Sequence, residues 1–389
     1  MKQFLYFDNA ATTTLHPKVL EAMMPFLTEQ YGNPSAVYSF ARNARKAIEQ
    51  AREQIAGAIG AQASEIFFTS SGTEANNWAI KGLANKGGHI ITTAVEHHAT
   101  SNVCEDLKKQ GYEITYLPVD SEGFVSPDAL RKAIQPNTSL ITMIWGNNEI
   151  GTILPISEFG AIAKEKGIPF HVDAVQIAGH LPVNLAELPV DMLTISAHKF
   201  YGPKGVGALY IRKGTRLSPI MHGGAQEKKR RAGTENVPGI VGMGKAISIA
   251  YESLETELKR VSALRDYLIE RIEKEIPKVK LNGARGDKRL PGNINFTFDY
   301  IEGESLLLLL DMQGCCASSG SACSSASLDP SHVIMALGVP HEHAHGSVRF
   351  SLGANNTQAD IDKLMEILPK IVKQLRVMSP LAEGESYGL

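Results

Sequence analysis

The 389-residue chain is 43% hydrophobic and 21% charged with a formal net charge of -2, the make-up of a soluble globular protein with room for one large domain and a smaller companion. So small a net charge gives no electrostatic reason to expect nucleic acid or a membrane surface as partner, and no apolar run reaches the roughly 18–20 residues of a membrane span. The opening MKQFLYFDNAATTT puts Asp8 and Asn9 where a secretion signal stays apolar, and four cysteines without C-x-x-C pairing point to reduced cytoplasmic thiols and to no metal site.

Strand-length apolar runs alternate with helical patterns along most of the chain. ARKAIEQAREQIAGAIG sets Ile48, Ile55 and Ile59 at helical spacing and stops at Gly60. EIFFTS, HIITTA, EITYLPV and SLITMIW follow as buried or half-buried strands. ISEFGAIAKEKG is a further helix ended by Gly167, and IPFHVDA, DMLTISA and VGALYIR are three more strands. This alternation predicts an α/β fold with a mainly parallel sheet covered on both faces. Ligands of such sheets lie beyond the carboxyl ends of the strands. The short basic run KKRRAG, Lys228 to Gly233, reads as a solvated loop.

Beyond Val237 the pattern changes. A long, interrupted helical stretch leads to the strands NINFTFDY and SVRFSLG and the helices ESLLLLLDMQ and DIDKLMEILPKIVKQLR. These predict a smaller α+β domain reached through a connecting helix. The expected division is a large domain over residues 15–255 and a small one from residues 1–14 and 256–389.

Several strand ends carry chemistry. Lys199 in TISAHKFYGPKG follows a strand, with Ser196 and His198 beside it, and suits a Schiff base with a carbonyl cofactor. Taken alone, a surface lysine in a βα loop is the commoner outcome. Asp173 in HVDAVQ ends the preceding strand, where a carboxylate can keep a pyridinium nitrogen protonated. A lone Asp there is usually a helix cap; the Asp–Lys pair favours the cofactor. TSSGTEANN runs from a strand through Ser71, Gly72 and Thr73 into a helix, a turn able to cradle phosphate, although such turns are common. Neither GxGxxG nor a Walker lysine is present, which disfavours dinucleotides and ATP. His97 and His98 in AVEHHATSN stand where an imidazole could lie on a cofactor ring, or simply begin a helix. Asn148 in WGNNEIG could reach a phenolate, or belong to a plain turn. Arg349, in the strand SVRFSLG, should pair with a carboxylate, internal or of an amino-acid substrate. Cys323 stands in SSGSACSS among small residues only, which suits an exposed thiol on a mobile loop better than a core cysteine.

Taken in order, FDNAATT, YGNPS, SSGTEANN, EHHA, NNEIG, HVDAVQ, SAHKFYGPKG, RRAGTENV, SSGSAC and VRFSLG resemble the cysteine desulfurases of the NifS/IscS type. These are pyridoxal-phosphate enzymes of the class V aminotransferase group, with fold type I. The likeness runs from about residue 6 to residue 380. It implies that Lys199 carries pyridoxal 5'-phosphate and later moves the substrate Cα proton. Asp173 would pair with the pyridinium nitrogen, His97 stack on the ring, and Asn148 and Gln176 contact its phenolate side. Thr73, Ser196 and His198 would hold the phosphate, joined by Thr234 from a second subunit. Arg349, with Asn148, would bind the substrate carboxylate. Cys323, on a loop of the small domain, would take sulfur from L-cysteine as a persulfide while L-alanine leaves.

The resemblance also implies a cytoplasmic homodimer and a sulfur-acceptor protein such as an iron–sulfur scaffold. The chain closes at Gly388-Leu389, shorter than the housekeeping enzymes whose tails meet that scaffold, so a nitrogenase-type or general sulfur supply stays open. Cys315 and Cys316 read as inert packing, or as an auxiliary thiol. Rival readings are a selenocysteine lyase, an aminotransferase or β-lyase that gives Cys323 no task, and a non-catalytic scaffold. The joint presence of Lys199, Asp173, Arg349 and Cys323 disfavours the last.

Overall fold

The computed structural model describes residues 4–83, 88–320 and 329–379. In chain order the strands are β1 Leu5–Tyr6, β2 Ile66–Thr69, β3 His89–Thr93 and β4 Glu113–Leu117. Then come β5 Thr138–Ile144, β6 Phe170–Asp173, β7 Met192–Ser196 and β8 Gly207–Ile211. The last four are β9 Val279–Leu281, β10 Asn293–Phe298, β11 Cys315–Cys316 and β12 Ser347–Ser351.

The seven strands expected from the apolar runs form one sheet, ordered β2-β8-β7-β6-β5-β3-β4. Strands β4, β3, β5, β6 and β7 are parallel neighbours, whereas β8 runs antiparallel to both β7 and β2. The exception has a local cause. The turn joining Ser196 to Gly207 is too short for the crossover that parallel strands need, so the chain must double back. Register pairs Ile144 with Asp173 and Asp173 with Thr194, which lines up the carboxyl ends of β5, β6 and β7.

Helices Ser39–Ile59 and Ile156–Lys166 stop where glycines take left-handed φ, +68° at Gly60 and +66° at Gly167. A side chain there would crowd the following carbonyl. The long stretch after Val237 is interrupted as expected, into helices Val237–Glu252 and Leu254–Glu275 that meet at Ser253.

One hydrophobic core packs helices Ser39–Ile59, Ile156–Lys166 and Val237–Glu252 on the seven-stranded sheet. A second is built from Phe7, buried side chains within 261–315 and 348–372, and the antiparallel sheet β12-β10-β9. Cys315 is buried in this second core, and β11 pairs in parallel with β1, drawing the chain's start onto it. No helix among the described residues is long and apolar enough to cross a membrane.

His171, in the middle of the large sheet, sits between the Thr142 and Thr194 hydroxyls at 2.8 and 2.9 Å. Burial pushes its pKa down to about 3. The unfolded chain therefore binds a proton at His171 below the ordinary pKa of about 6.5, while the folded chain stays neutral, and stability falls as pH falls. Relative to a His171→Gln variant, the parent is expected to lose about 1–2 kcal/mol between pH 6.5 and 5. Urea unfolding of both proteins across that range measures it.

Candidate active site

At the end of β7 a single tight turn, Ala197–Lys199, projects Lys199 beyond the sheet edge. Its Nζ donates to the carbonyl oxygens of Ala10 at 2.6 Å and Ala11 at 2.8 Å. The segment Asp8–Thr13 threads the whole site. Gln176 Nε2 donates to Ala10 O at 2.9 Å, His198 Nδ1 lies 3.2 Å from Thr12 Oγ1, and the Thr13 hydroxyl donates to His198 O at 2.9 Å.

Asp173 closes β6 and is buried. Its Oδ2 accepts from Asn76 Nδ2 at 2.6 Å and its Oδ1 from the Val175 amide at 3.0 Å. Asn76 lies on helix Gly72–Leu83, whose first turn carries Thr73. That helix begins hard against the neighbouring strand ends, since a Cβ on Gly72 would lie 2.9 Å from Val175 Cγ2 and 3.4 Å from Ser196 Cβ. Glycine is what allows that close approach, and a helix start beside the cavity is an arrangement suited to phosphate.

His97 caps helix His98–Lys109, its Nδ1 accepting the Ala99 amide at 3.1 Å. In the neutral ring the proton therefore sits on Nε2. Burial, reinforced by nearby Lys199, holds its pKa below the usual histidine range, although Asp173 pulls the other way. His198 is pushed down to about 4 by burial and by Lys199 and Lys204. Both imidazoles are neutral near pH 7.

Thr73, His97, Asn148, Asp173, Gln176, Ser196, His198, Lys199 and Arg349 line one cavity of about 260 Å³. A larger cavity of about 440 Å³ lies past Gln176 and Tyr201, but neither Lys199 nor Asp173 reaches it, so the reactive groups gather in the smaller one. Arg349 is buried, with an internal carboxylate partner. Its Nη2 donates to Asp8 Oδ1 and its Nη1 to Asn148 O, each at 2.8 Å. Its Nε is a buried donor with no acceptor among the described residues. Arg349 lines the cavity, where a guanidinium is suited to receive a carboxylate.

Thr234 is not in this cavity. It is exposed, beside a separate hollow shared with Arg231 and Ser70. Cys323 lies outside the described residues; Gly320, before it, borders the cavity.

Four participants escaped the sequence reading: Asp8, Asn76, Glu96 and Glu149. Burial pushes Glu96 up to about 8, its Oε1 accepting from the Thr93 hydroxyl at 2.7 Å and the Ile144 amide at 2.9 Å. Burial also raises Glu149, which accepts from the Ser331 hydroxyl at 2.5 Å. The signals available were the acidic neighbours of quoted motifs, EHH and NNE, and the Asn of SGTEANN.

An amine and a carboxylate at adjacent strand ends, with a helix start and a buried arginine, form one constellation. The family model Aminotransferase class-V matches residues 5–364. The chain belongs to this family. Within the class-V family it is 59% identical over 384 residues to "Cysteine desulfurase IscS" of Dictyoglomus turgidum, covering 98% of this chain and 97% of the relative. A solved NifS-like protein superposes with a TM-score of 0.90 at 38% identity, covering 96% of this chain and all of the other. SspA in complex with cysteine superposes with a TM-score of 0.79 at 40% identity, over 89% of this chain and 98% of the other. At these identities and coverages this class-V protein falls among the cysteine desulfurases of the NifS/IscS type.

Proposed function

We propose that the chain is a pyridoxal-phosphate-dependent cysteine desulfurase that passes the sulfur of L-cysteine to Cys323. The observation that carries the reading is that Lys199 and Asp173, from neighbouring strand ends, line the same cavity as the buried Arg349. The residues present fit the cofactor. Lys199 supplies the amine that holds its aldehyde. Asp173, buried and oriented by Asn76, supplies the charge for the ring nitrogen. Thr73, Ser196 and His198 surround a helix start suited to the phosphate, while Asn148 and Gln176 line the wall where the phenolate oxygen would lie. When bound, the cofactor supplies an electron sink for a carbanion at the substrate Cα.

This chain's residues do the rest. Arg349 orients the substrate carboxylate, Lys199 removes the Cα proton, and neutral His97 presents Nε2–H to the site. The Cys323 thiolate attacks the substrate sulfur. A sulfur–sulfur bond forms as the Cβ–S bond breaks, the carbon fragment keeps the electron pair, and with added protons it leaves as L-alanine. Electrons balance without an outside reductant: a thiol and cysteine become a persulfide and alanine. An acceptor, an iron–sulfur scaffold or another sulfur-using protein of the cytoplasm, then takes the sulfur by thiol exchange.

The reading includes a homodimer in which Thr234 completes the second copy's phosphate site. Supporting it, Thr234 is exposed and away from its own cavity, and large apolar side chains stand in solvent, Tyr31 at 75% and Val37 at 97% exposure. It also keeps residues 15–255 as the cofactor domain and residues 1–14 with 256–389 as the small one, in line with the two main cores.

The test is to supply L-cysteine to the purified holoenzyme and measure alanine while mass spectrometry reads Cys323. One added sulfur on Cys323 and equimolar alanine are expected. Cys323→Ala should lose at least about 100-fold in cysteine turnover, as expected for removal of a covalent nucleophile. Unchanged turnover in that variant would refute the persulfide route.

A further inference from the structure

The run QEKKRRAGT holds a backbone strain that the site described above does not use. Glu227, Lys228 and Lys229 take φ of 44°, 58° and 67°, three successive side-chain-bearing residues in the left-handed region. Each sets its Cβ against a neighbouring carbonyl, and such a turn persists only where its surroundings over-determine it.

The surroundings do so through Glu227, whose side chain points inward and is buried. Its Oε1 accepts from Arg52 Nη2 at 2.8 Å, and its Oε2 from Arg52 Nη1 and the Phe68 amide, both at 2.9 Å. Arg52 is itself fixed, donating to Ile66 O at 2.6 Å and lying over the Phe68 ring. A second clamp follows four residues later. Arg231 meets Glu74 with two hydrogen bonds of 2.7 and 3.0 Å, and Glu74 also accepts the Ser70 amide at 2.7 Å. The basic run is thus only partly the solvated loop expected: Lys228 and Arg230 flank Phe67 between two fixed points.

Beyond the second clamp the chain emerges through Gly233, at φ +107°, to exposed Thr234. A buried ion pair is costly to desolvate and is weak support for stability, but it does select one conformation.

We propose that Glu227 and Arg52 are positioning residues for the cofactor site of a second copy of this chain, holding the strained turn that presents Thr234 across the dimer boundary. This rests on the reading that Thr234 serves the other copy's phosphate site. The effect therefore acts in trans, which a merely structural role would not.

The test uses dimers of two differently tagged chains, titrated with pyridoxal phosphate and read by absorbance of the bound chromophore. In the first dimer one chain carries Glu227→Gln and the other Lys199→Ala. Its single intact Lys199 site receives an intact turn, and parental affinity is expected. In the second, one chain carries both substitutions and its partner none. Its single Lys199 site receives the damaged turn, and cofactor affinity at least 10-fold weaker is expected. Equal affinities in the two dimers, or the opposite order, overturn the proposal. Should Glu227→Gln prevent dimer assembly, Glu227→Asp, which keeps the charge but shortens the reach, is read in the same two arrangements with the same criteria. Thr234→Ala run in parallel separates the two claims. If it shows no trans pattern, the underlying dimer reading fails; if it shows one while the Glu227 variants do not, only the positioning role fails.

Discussion

Replacing Lys199 with alanine is expected to abolish cysteine turnover, lowering kcat by at least about 1000-fold, as for other removed covalent groups. The lysine has two tasks that no neighbour can assume. It is an amine lining the cavity that Asp173 and His198 also line, and in the proposed mechanism it is the base for the Cα proton. Its present hydrogen bonds go to the carbonyls of Ala10 and Ala11, and solvent entering the shortened site can satisfy both. The fold should therefore survive, and the loss should be one of chemistry. Borohydride treatment followed by intact-mass measurement gives a second readout. The parent should gain the cofactor's mass irreversibly and Lys199→Ala should not. Turnover within about 10-fold of the parent would remove Lys199 from the mechanism.

Asp173→Asn is expected to lower kcat by about 100- to 1000-fold with little change in KM, the size of effect seen when one preorganised charge partner is lost. The substitution keeps the shape. The Val175 amide keeps Oδ1 as acceptor, and the new amide NH2 faces Asn76, which can turn its unpartnered Oδ1 to accept it. What disappears is the negative charge that, in the proposed mechanism, would keep the ring nitrogen of the bound cofactor protonated. Binding through phosphate, amine and Arg349 is left in place, so the deficit should fall on kcat. Steady-state kinetics at saturating pyridoxal phosphate separates the two. A large rise in KM with kcat preserved would mean that Asp173 serves binding instead.

How much of this is legible in the sequence differs by residue. The seven strands of the large sheet were readable because apolar runs bounded by turn residues report burial locally. Gly60 and Gly167 marked helix ends for an equally local reason, since only glycine takes left-handed φ without strain. Lys199 and Asp173 were legible as a pair because both directly follow strands, and parallel strands bring their carboxyl ends to one edge. The antiparallel turn of β8 was missed, although the short connection before it was countable.

Composition and period were enough to determine an α/β chain, and the order of motifs its resemblance to the cysteine desulfurases. Tertiary structure alone decided what the site residues rest on. Asp8 meets Arg349 across 341 positions of sequence, the carbonyls of Ala10 and Ala11 receive Lys199, and Glu227 locks a strained turn onto Arg52. The physical reason is the same in each case. A backbone acceptor bears no residue signature, and a buried ion pair exists only once packing has excluded water from both partners, which no local pattern encodes.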